Sequence, residues 1–146
     1  MKALLQRVTH ATVSVDGAVV GAIEAGLLVL VGVEPDDDTK RLQRMVERLL
    51  NYRVFPDAEG RMNRCLRETG GGLLLVSQFT LAADTRKGNR PGFSTAAPPE
   101  LAESLFKQLI LHAQQLHSGP VATGRFGTHM AVSSTNDGPV TLLLET

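Results

Sequence analysis

The stretch Gly26-Leu27-Leu28-Val29-Leu30-Val31-Gly32-Val33 decides the fold class. Its apolar residues run on without alternating, as expected of a strand covered on both faces and therefore central in a sheet. Upstream, Val13-Ser14-Val15 and Ala18-Val19-Val20 flank Asp16-Gly17, a pair suited to the positive φ angles of a tight antiparallel hairpin, so residues 2 to 23 read as strands. Downstream of Pro35, Asp36-Asp37-Asp38-Thr39 supplies capping oxygens and negative charge, and Leu42, Met45, Val46, Leu49 and Leu50 recur at helical spacing. A first helix is expected over residues 38 to 51.

Tyr52 to Phe55 reads as a short strand, and Pro56-Asp57-Ala58-Glu59-Gly60 as a turn. Gly70-Gly71-Gly72 breaks the chain before a strand expected from Leu73 to Leu81. A long loop from Ala83 to Ala97 carries Arg86, Lys87 and Arg90; loops of that length usually serve a function or move. Pro98-Pro99-Glu100 opens a second helix with Leu101, Leu105, Phe106, Leu109, Ile110 and Ala113 as its buried stripe, ended by Gly119-Pro120. Two last strands, near Thr128 to Ser133 and Val140 to Glu145, flank Asn136-Asp137-Gly138-Pro139. The order predicts one α/β domain over residues 1–146, a mixed, largely antiparallel sheet in barrel-like layers with two main helices.

The chain has 146 residues, of which 42% are hydrophobic and 21% charged, enough to bury a core within one domain. Fifteen basic residues balance fifteen acidic ones, so any contact with RNA must be local, and DNA is not an expected partner. Cys65 is the single cysteine, which suits a reducing cytoplasm, and Arg7 interrupts what would be the apolar part of a signal peptide. No apolar run is long enough to span a bilayer, so no membrane role is expected. Five Phe, one Tyr and no Trp argue against the stacking platforms of general single-strand binders.

Familiar catalytic constellations fail in turn. His112 and His117 are five apart, on different sides of a helix, and no Cys pair or His-Glu-x-x-His spacing exists; no metal and no cofactor are expected. Cys65 lacks the surroundings of a thiol nucleophile and reads as a small core residue. Gly70-Gly71-Gly72 precedes a strand with no Lys-Ser or Lys-Thr after it, so it reads as a turn and not a phosphate loop. Ser77, Gln78 and Thr80 are polar groups in an otherwise apolar strand, where period two puts Gln78 and Thr80 on one face. They either satisfy backbone groups at the strand's end or form a site. Asn136-Asp137-Gly138-Pro139 likewise has the composition of an ordinary turn.

Ser77-Gln78-Phe79-Thr80-Leu81 together with Asn136-Asp137-Gly138-Pro139-Val140-Thr141 resembles the pair of signature motifs of the D-aminoacyl-tRNA deacylases. Gln6-Arg7-Val8, Asp84-Thr85-Arg86-Lys87-Gly88 and Gly124-Arg125-Phe126-Gly127 with Met130 are similar to that family too, so the likeness runs the length of the chain. Cys65 and Gly92 stand where serine is more usual, and Ser134-Thr135 replaces a more apolar pair; all lie outside the two motifs.

The resemblance implies a two-fold homodimer with active sites at the interface, in which Gly138-Pro139, joined by a cis peptide and fixed by Arg7, enters the partner's pocket. Backbone carbonyls of that loop would meet the substrate's α-carbon, so that an L side chain clashes while a D side chain, or glycine, passes. Ser77, Gln78, Phe79 and Thr80 would form the catalytic segment. The reactive aminoacyl ester then needs a placed water and an oxyanion held by backbone N–H groups near Phe79 and Thr80, with Thr80 positioning and the vicinal 2′-hydroxyl of the tRNA assisting. Phe126 and Met130 would form the wall for the terminal adenine, and Arg86, Lys87 and Arg90 would meet phosphates of the tRNA acceptor end. Rival readings are an esterase or amidase of the same fold acting on a D-amino acid without RNA, a noncatalytic RNA-binding protein, and an L-alanyl-tRNA-specific relative. The basic loop argues against the first, neutral charge against the second and Arg7 against the third.

Overall fold

The computed structural model describes residues 1–86 and 88–146; Lys87 lies outside the described residues. Strand β1 (Lys2–Val15) organises the sheet. Along one edge its first half pairs antiparallel with β3 (Gly26–Gly32), and its second half with β2 (Ala18–Ile23). Along the other edge it pairs over most of its length with β8 (Ala131–Glu145). From β3 the sheet continues in parallel to β6 (Gly72–Ser77) and then β7 (Val121–Thr123). The ends of this order, β2 and β7, come together at Gly21, where a Cβ would stand 2.3 Å from the Thr123 carbonyl oxygen. The missing side chain lets the sheet curl into a nearly closed barrel.

The hairpin forms as the sequence requires, with Asp16 and Gly17 both at positive φ. Helix α1 (Thr39–Asn51) starts at Asp38, whose carboxylate accepts from the Arg41 N–H at 2.9 Å, and helix α3 (Pro99–Leu116) opens on the proline pair. A hairpin of β4 (Phe55–Pro56) and β5 (Met62–Arg64), followed by the short helix α2 (Leu66–Thr69), lies between α1 and β6. The periodicity gave no sign of β5 or α2, which are too short to show a repeat.

Residues on the two faces of β3 enter different cores. Leu27, Val29 and Val31 pack with Leu73 and Leu75 under Leu42, Met45, Leu49, Leu105, Phe106 and Leu109 of the helices. Leu28 packs with Val8, Ala11, Val13, Leu74 and Val76 inside the barrel. This double covering is why the stretch does not alternate.

Two expectations are corrected. The strand expected from Leu73 to Leu81 stops at Ser77, and residues Phe79–Ala82 form a single 3-10 turn. Its strand neighbour β3 ends at Gly32, so after the Gln78 N–H has met the Val31 carbonyl at 2.7 Å no ladder remains to continue. Gly32 admits the turn closely: a Cβ there would lie 2.9 Å from the Leu81 Cβ and 3.1 Å from the Gln78 carbonyl oxygen. The two last strands are one strand, β8, and Asn136-Asp137-Gly138-Pro139 is no hairpin. Gln6 faces Thr141 while Val8 faces Asn136, so an excess of β8 residues bulges opposite Arg7. The Asn136 side chain spans the gap, accepting from Val140 N–H at 2.7 Å and donating to Thr141 Oγ1 at 2.9 Å, which keeps the strand in line.

Candidate active site

A cavity of about 490 Å³ opens where β3 and β6 end beneath the start of α3. Val31, Val33, Val76, Ala97, Ala102 and Phe106 give it an apolar floor, and Ser77, Gln78 and Phe79 form one side of its mouth. Phe126, Gly127, Thr128, His129, Met130 and Val132 form the other. Phe126 is half-buried and braced by the core ring of Phe106, with centroids 6.2 Å apart. The Met130 sulfur accepts from the Arg125 N–H at 3.3 Å. The cavity is therefore a slot between a fixed aromatic ring and a polar turn.

The turn supplies the polar chemistry. Leu81 N–H donates to Gln78 O at 3.2 Å and Ala83 N–H to Thr80 O at 3.1 Å, which leaves Phe79 and Thr80 at the open start of the 3-10 turn. Among the described residues, neither of their N–H groups has a protein acceptor. The Gln78 side-chain amide donates to Thr80 Oγ1, which holds that hydroxyl in place. This geometry suits binding an oxyanion and orienting a neighbour; no described partner of Thr80 would deprotonate it for attack.

Arg7, Gly138 and Pro139 stand elsewhere. The Gly138–Pro139 peptide is cis. Arg7 Nε donates to the Asp137 carbonyl at 3.0 Å and pairs with its carboxylate at 3.0 Å, while the guanidinium also reaches the Val54 carbonyl at 2.6 Å. Arg7 thus clamps the bulge to the chain between α1 and β4. In register Arg7 lies beside Leu27 but Ser77 beside Val31, an offset of roughly 13 Å along the strands. Three strand spacings separate β8 from β6, roughly 14 Å more across the sheet. Gly138 and Pro139 do not line the cavity of their own chain.

The long loop is better anchored than its sequence suggests. Asp84 and Gly92 exchange backbone hydrogen bonds at 2.8 and 2.9 Å, the Thr95 hydroxyl donates to the Ala82 carbonyl, and Ala97 N–H reaches Val33 O at 3.0 Å. Arg86 is exposed and aligned by two 2.8 Å bonds to the Asp84 carboxylate, whose carboxyl is held far below the usual carboxylate range by those bonds. Arg90 is exposed; the expectation for Lys87 lies outside the described residues. The sequence reading missed His129, Thr128 and the floor residue Ala97. Their closeness to Phe126 and Met130 was the available signal for the first two. His117 caps the C-terminus of α3 and is buried, with Nε2 2.8 Å from the Gly71 carbonyl. Cys65 is buried at the N-terminus of α2.

The chain matches the family model of D-Tyr-tRNA(Tyr) deacylase over residues 4–145. It belongs to the D-Tyr-tRNA(Tyr) deacylase family. The D-aminoacyl-tRNA deacylase of Xanthomonas campestris pv. campestris (strain 8004) is 64% identical over 144 residues, covering 99% of both chains. That of Pseudomonas fluorescens (strain Pf0-1) is 62% identical over 146 residues and covers both completely. Among solved structures, the c-Myc DNA Unwinding Element Binding Protein superposes with a TM-score of 0.96 at 40% identity, over 100% of this chain and 99% of the other. A probable eukaryotic D-amino acid tRNA deacylase shares the fold at a TM-score of 0.83 and 18% identity, over 99% and 98%. Members of the deacylase family are hydrolases, and the mixed α/β barrel-like fold with helices on its outside is theirs.

Proposed function

We propose that this chain hydrolyses the ester of D-aminoacyl-tRNA, and of glycyl-tRNA, to free amino acid and tRNA in the cytoplasm, as a two-fold homodimer with composite sites. The observation that carries the reading is the pair of Phe79 and Thr80 N–H groups, without an acceptor among the described residues, at the mouth of an aromatic-walled slot. The terminal adenine would rest on Phe126 and Met130, which puts its ribose and the acyl ester against the turn. Water then adds to the ester carbonyl, the two N–H groups hold the oxyanion, and collapse breaks the bond to the ribose oxygen, which leaves with a proton as the free hydroxyl. The vicinal 2′-hydroxyl assists that proton transfer, and Thr80, held by Gln78, orients the water or the substrate amine. An aminoacyl ester is reactive enough for placement and charge stabilisation to suffice.

Selection by hand needs a fixed wall at the α-carbon, because D and L substrates carry the same hydrogen-bonding groups. The Gly138-Pro139 backbone, clamped by Arg7, is assigned that role in the partner's cavity, since it does not line its own. The exposed Arg86 and Arg90, together with Lys87, would meet phosphates. The test is release of D-tyrosine, L-tyrosine and glycine from the corresponding tRNAs by the purified protein, with sedimentation at micromolar concentration. Hydrolysis of the D and glycyl esters, rejection of the L ester and a mass twice 15.7 kDa are expected. Equal rates on D and L esters would remove the assigned selectivity, and a pure monomer would remove the composite site.

A further inference from the structure

Of the five phenylalanines, Phe55 and Phe106 are buried and Phe126 is half-buried against the core. The other two are exposed, Phe79 at 56% and Phe93 at 45%, and they touch each other with ring centroids 5.1 Å apart and planes tilted by 57°. Neighbouring apolar rings left in water mark a surface that something covers. Their position indicates what. Phe79 lines the cavity, so the pair forms an outward continuation of its rim. Phe93 sits on the loop that also carries the exposed Arg86 and Arg90, and the loop is fixed by the Asp84–Gly92 bridge and the Thr95–Ala82 bond. Exposed rings at the rim with cations on the same loop suit a single nucleic-acid strand, which needs a flat face for a base and positive charge for its backbone.

We propose that Phe93, backed by Phe79, is a stacking platform for the nucleobase immediately before the terminal adenosine of the tRNA 3′ strand. The inference rests on the deacylase reading, which places the terminal adenosine in the cavity and so brings the preceding nucleotide to its rim. Stacking there holds the unpaired end straight as it enters, while the reacting ester stays with the Phe79–Thr80 backbone. Phe93 is thus a substrate-positioning residue outside the reacting centre.

The test compares F93A and F93Y with the unaltered protein on D-tyrosyl-tRNA and on D-tyrosyl-adenosine, which lacks the preceding nucleotide. F93A should raise KM for the tRNA about tenfold, the effect of losing one base–aromatic stack, with kcat and all constants for the adenosine ester unchanged. F93Y, which keeps a ring, should restore the KM. A short uncharged RNA with 2-aminopurine as its penultimate base gives a reading independent of hydrolysis: its fluorescence should be quenched by the unaltered protein and by F93Y, but not by F93A. If the unaltered protein hydrolyses neither ester, the deacylase reading fails, and the quenching alone decides the platform. Equal losses on both substrates, no change on either, unquenched fluorescence, or a changed sedimentation mass of F93A, which would put the rings against a second copy, would each overturn the proposal.

Discussion

Replacing Gly32 with alanine should disable the site while leaving the protein folded. Gly32 is buried at the end of β3 and does not stand at positive φ, so alanine carries no backbone penalty there and acts only through its added carbon. That carbon would lie 2.9 Å from the Leu81 Cβ and 3.1 Å from the Gln78 carbonyl oxygen, and neither belongs to a flexible side-chain end. Relief to ordinary packing distance moves the turn outward by roughly 0.5 Å, and overpacking on this scale costs about 1–3 kcal/mol. For a chain of this size the melting temperature should drop by roughly 2–10 °C. The same shift carries the Phe79 and Thr80 N–H groups off the oxyanion, and displacements approaching 1 Å cost up to about 100-fold in rate. We expect kcat on D-tyrosyl-tRNA to fall by roughly 10- to 100-fold, with KM nearly constant because the Phe126 wall is untouched. Leu49→Ala is the control, since it opens a cavity under α1 at about 2–5 kcal/mol without touching the turn, and its folded fraction should keep full kcat. A Gly32→Ala protein that melts lower yet keeps normal kcat would refute the placement of the reaction on this turn.

Thr80→Ala should lower kcat by about tenfold without abolishing turnover, and no acyl-enzyme should be trapped by rapid quench; a trapped ester on Thr80 would make it a nucleophile. Changing Arg86, Lys87 and Arg90 together to alanine should raise KM for aminoacyl-tRNA and flatten its salt dependence, by about 0.7 in log–log slope for each phosphate that is no longer neutralised, while aminoacyl-adenosine is hydrolysed as before. Arg7→Ala strands the carbonyls of Asp137 and Val54 and frees the bulge, so D activity should fall. In dimers re-formed from an equal mixture of Arg7→Ala and Gly32→Ala chains, about a quarter of the sites should be intact, and no recovery would mean that each site is built from one chain. The Glu68 carboxyl is held below its ordinary value, chiefly by accepting the Cys65 backbone N–H at 2.6 Å. A depressed folded-state pKa gives stability that is complete above the unfolded value near 4.5 and is lost as pH falls through the folded one, so Glu68→Gln should flatten the decline of melting temperature on acidification below that pH.

Long elements with a strong period were legible in the sequence: the hairpin at Asp16-Gly17, the doubly covered β3 and the two helices each follow from composition at fixed spacing. The failures share a cause. At Ser77 and at Asn136 the local pattern agreed with an ordinary strand and an ordinary turn, and tertiary neighbours decided otherwise. β6 ends because β3 ends, which no residue between Leu73 and Leu81 announces. β8 does not turn at Asn136-Asp137-Gly138-Pro139 because the Asn136 side chain replaces the missing ladder bonds and Arg7, far away in sequence, holds the bulge. Both misread places are the two signature motifs. Period two put Gln78 and Thr80 on one face of a strand, whereas the 3-10 turn joins them through a side-chain hydrogen bond and exposes two backbone N–H groups. A site made of backbone atoms, as proposed here, would leave little trace in side-chain chemistry, and the residue types alone point to neither a triad nor a set of metal ligands.

The same economy bears on why the two motifs sit apart in one chain. A wall that senses the hand of an α-carbon must be stiffer than the clash it relies on, and on the proposed reading Arg7 supplies that stiffness by joining the Asp137 carbonyl of the bulge to the Val54 carbonyl. The turn after β6, to which the proposal assigns the oxyanion, is stiffened separately, by the Val31 carbonyl and the close approach at Gly32. If one loop carried both functions, any motion that admitted the substrate would move the wall and the oxyanion donors together, and selectivity would vary with rate. On the proposed reading the wall lies on β8, held through Arg7 of β1, and the donors follow β6, held at the end of β3, so the two supports are four register positions apart along β3. On that reading it is a second copy that brings wall and donors together at one α-carbon. On this arrangement hand and rate are separable, so Arg7→Ala should change the ratio of D to L hydrolysis, whereas Gly32→Ala should slow every accepted ester by the same factor.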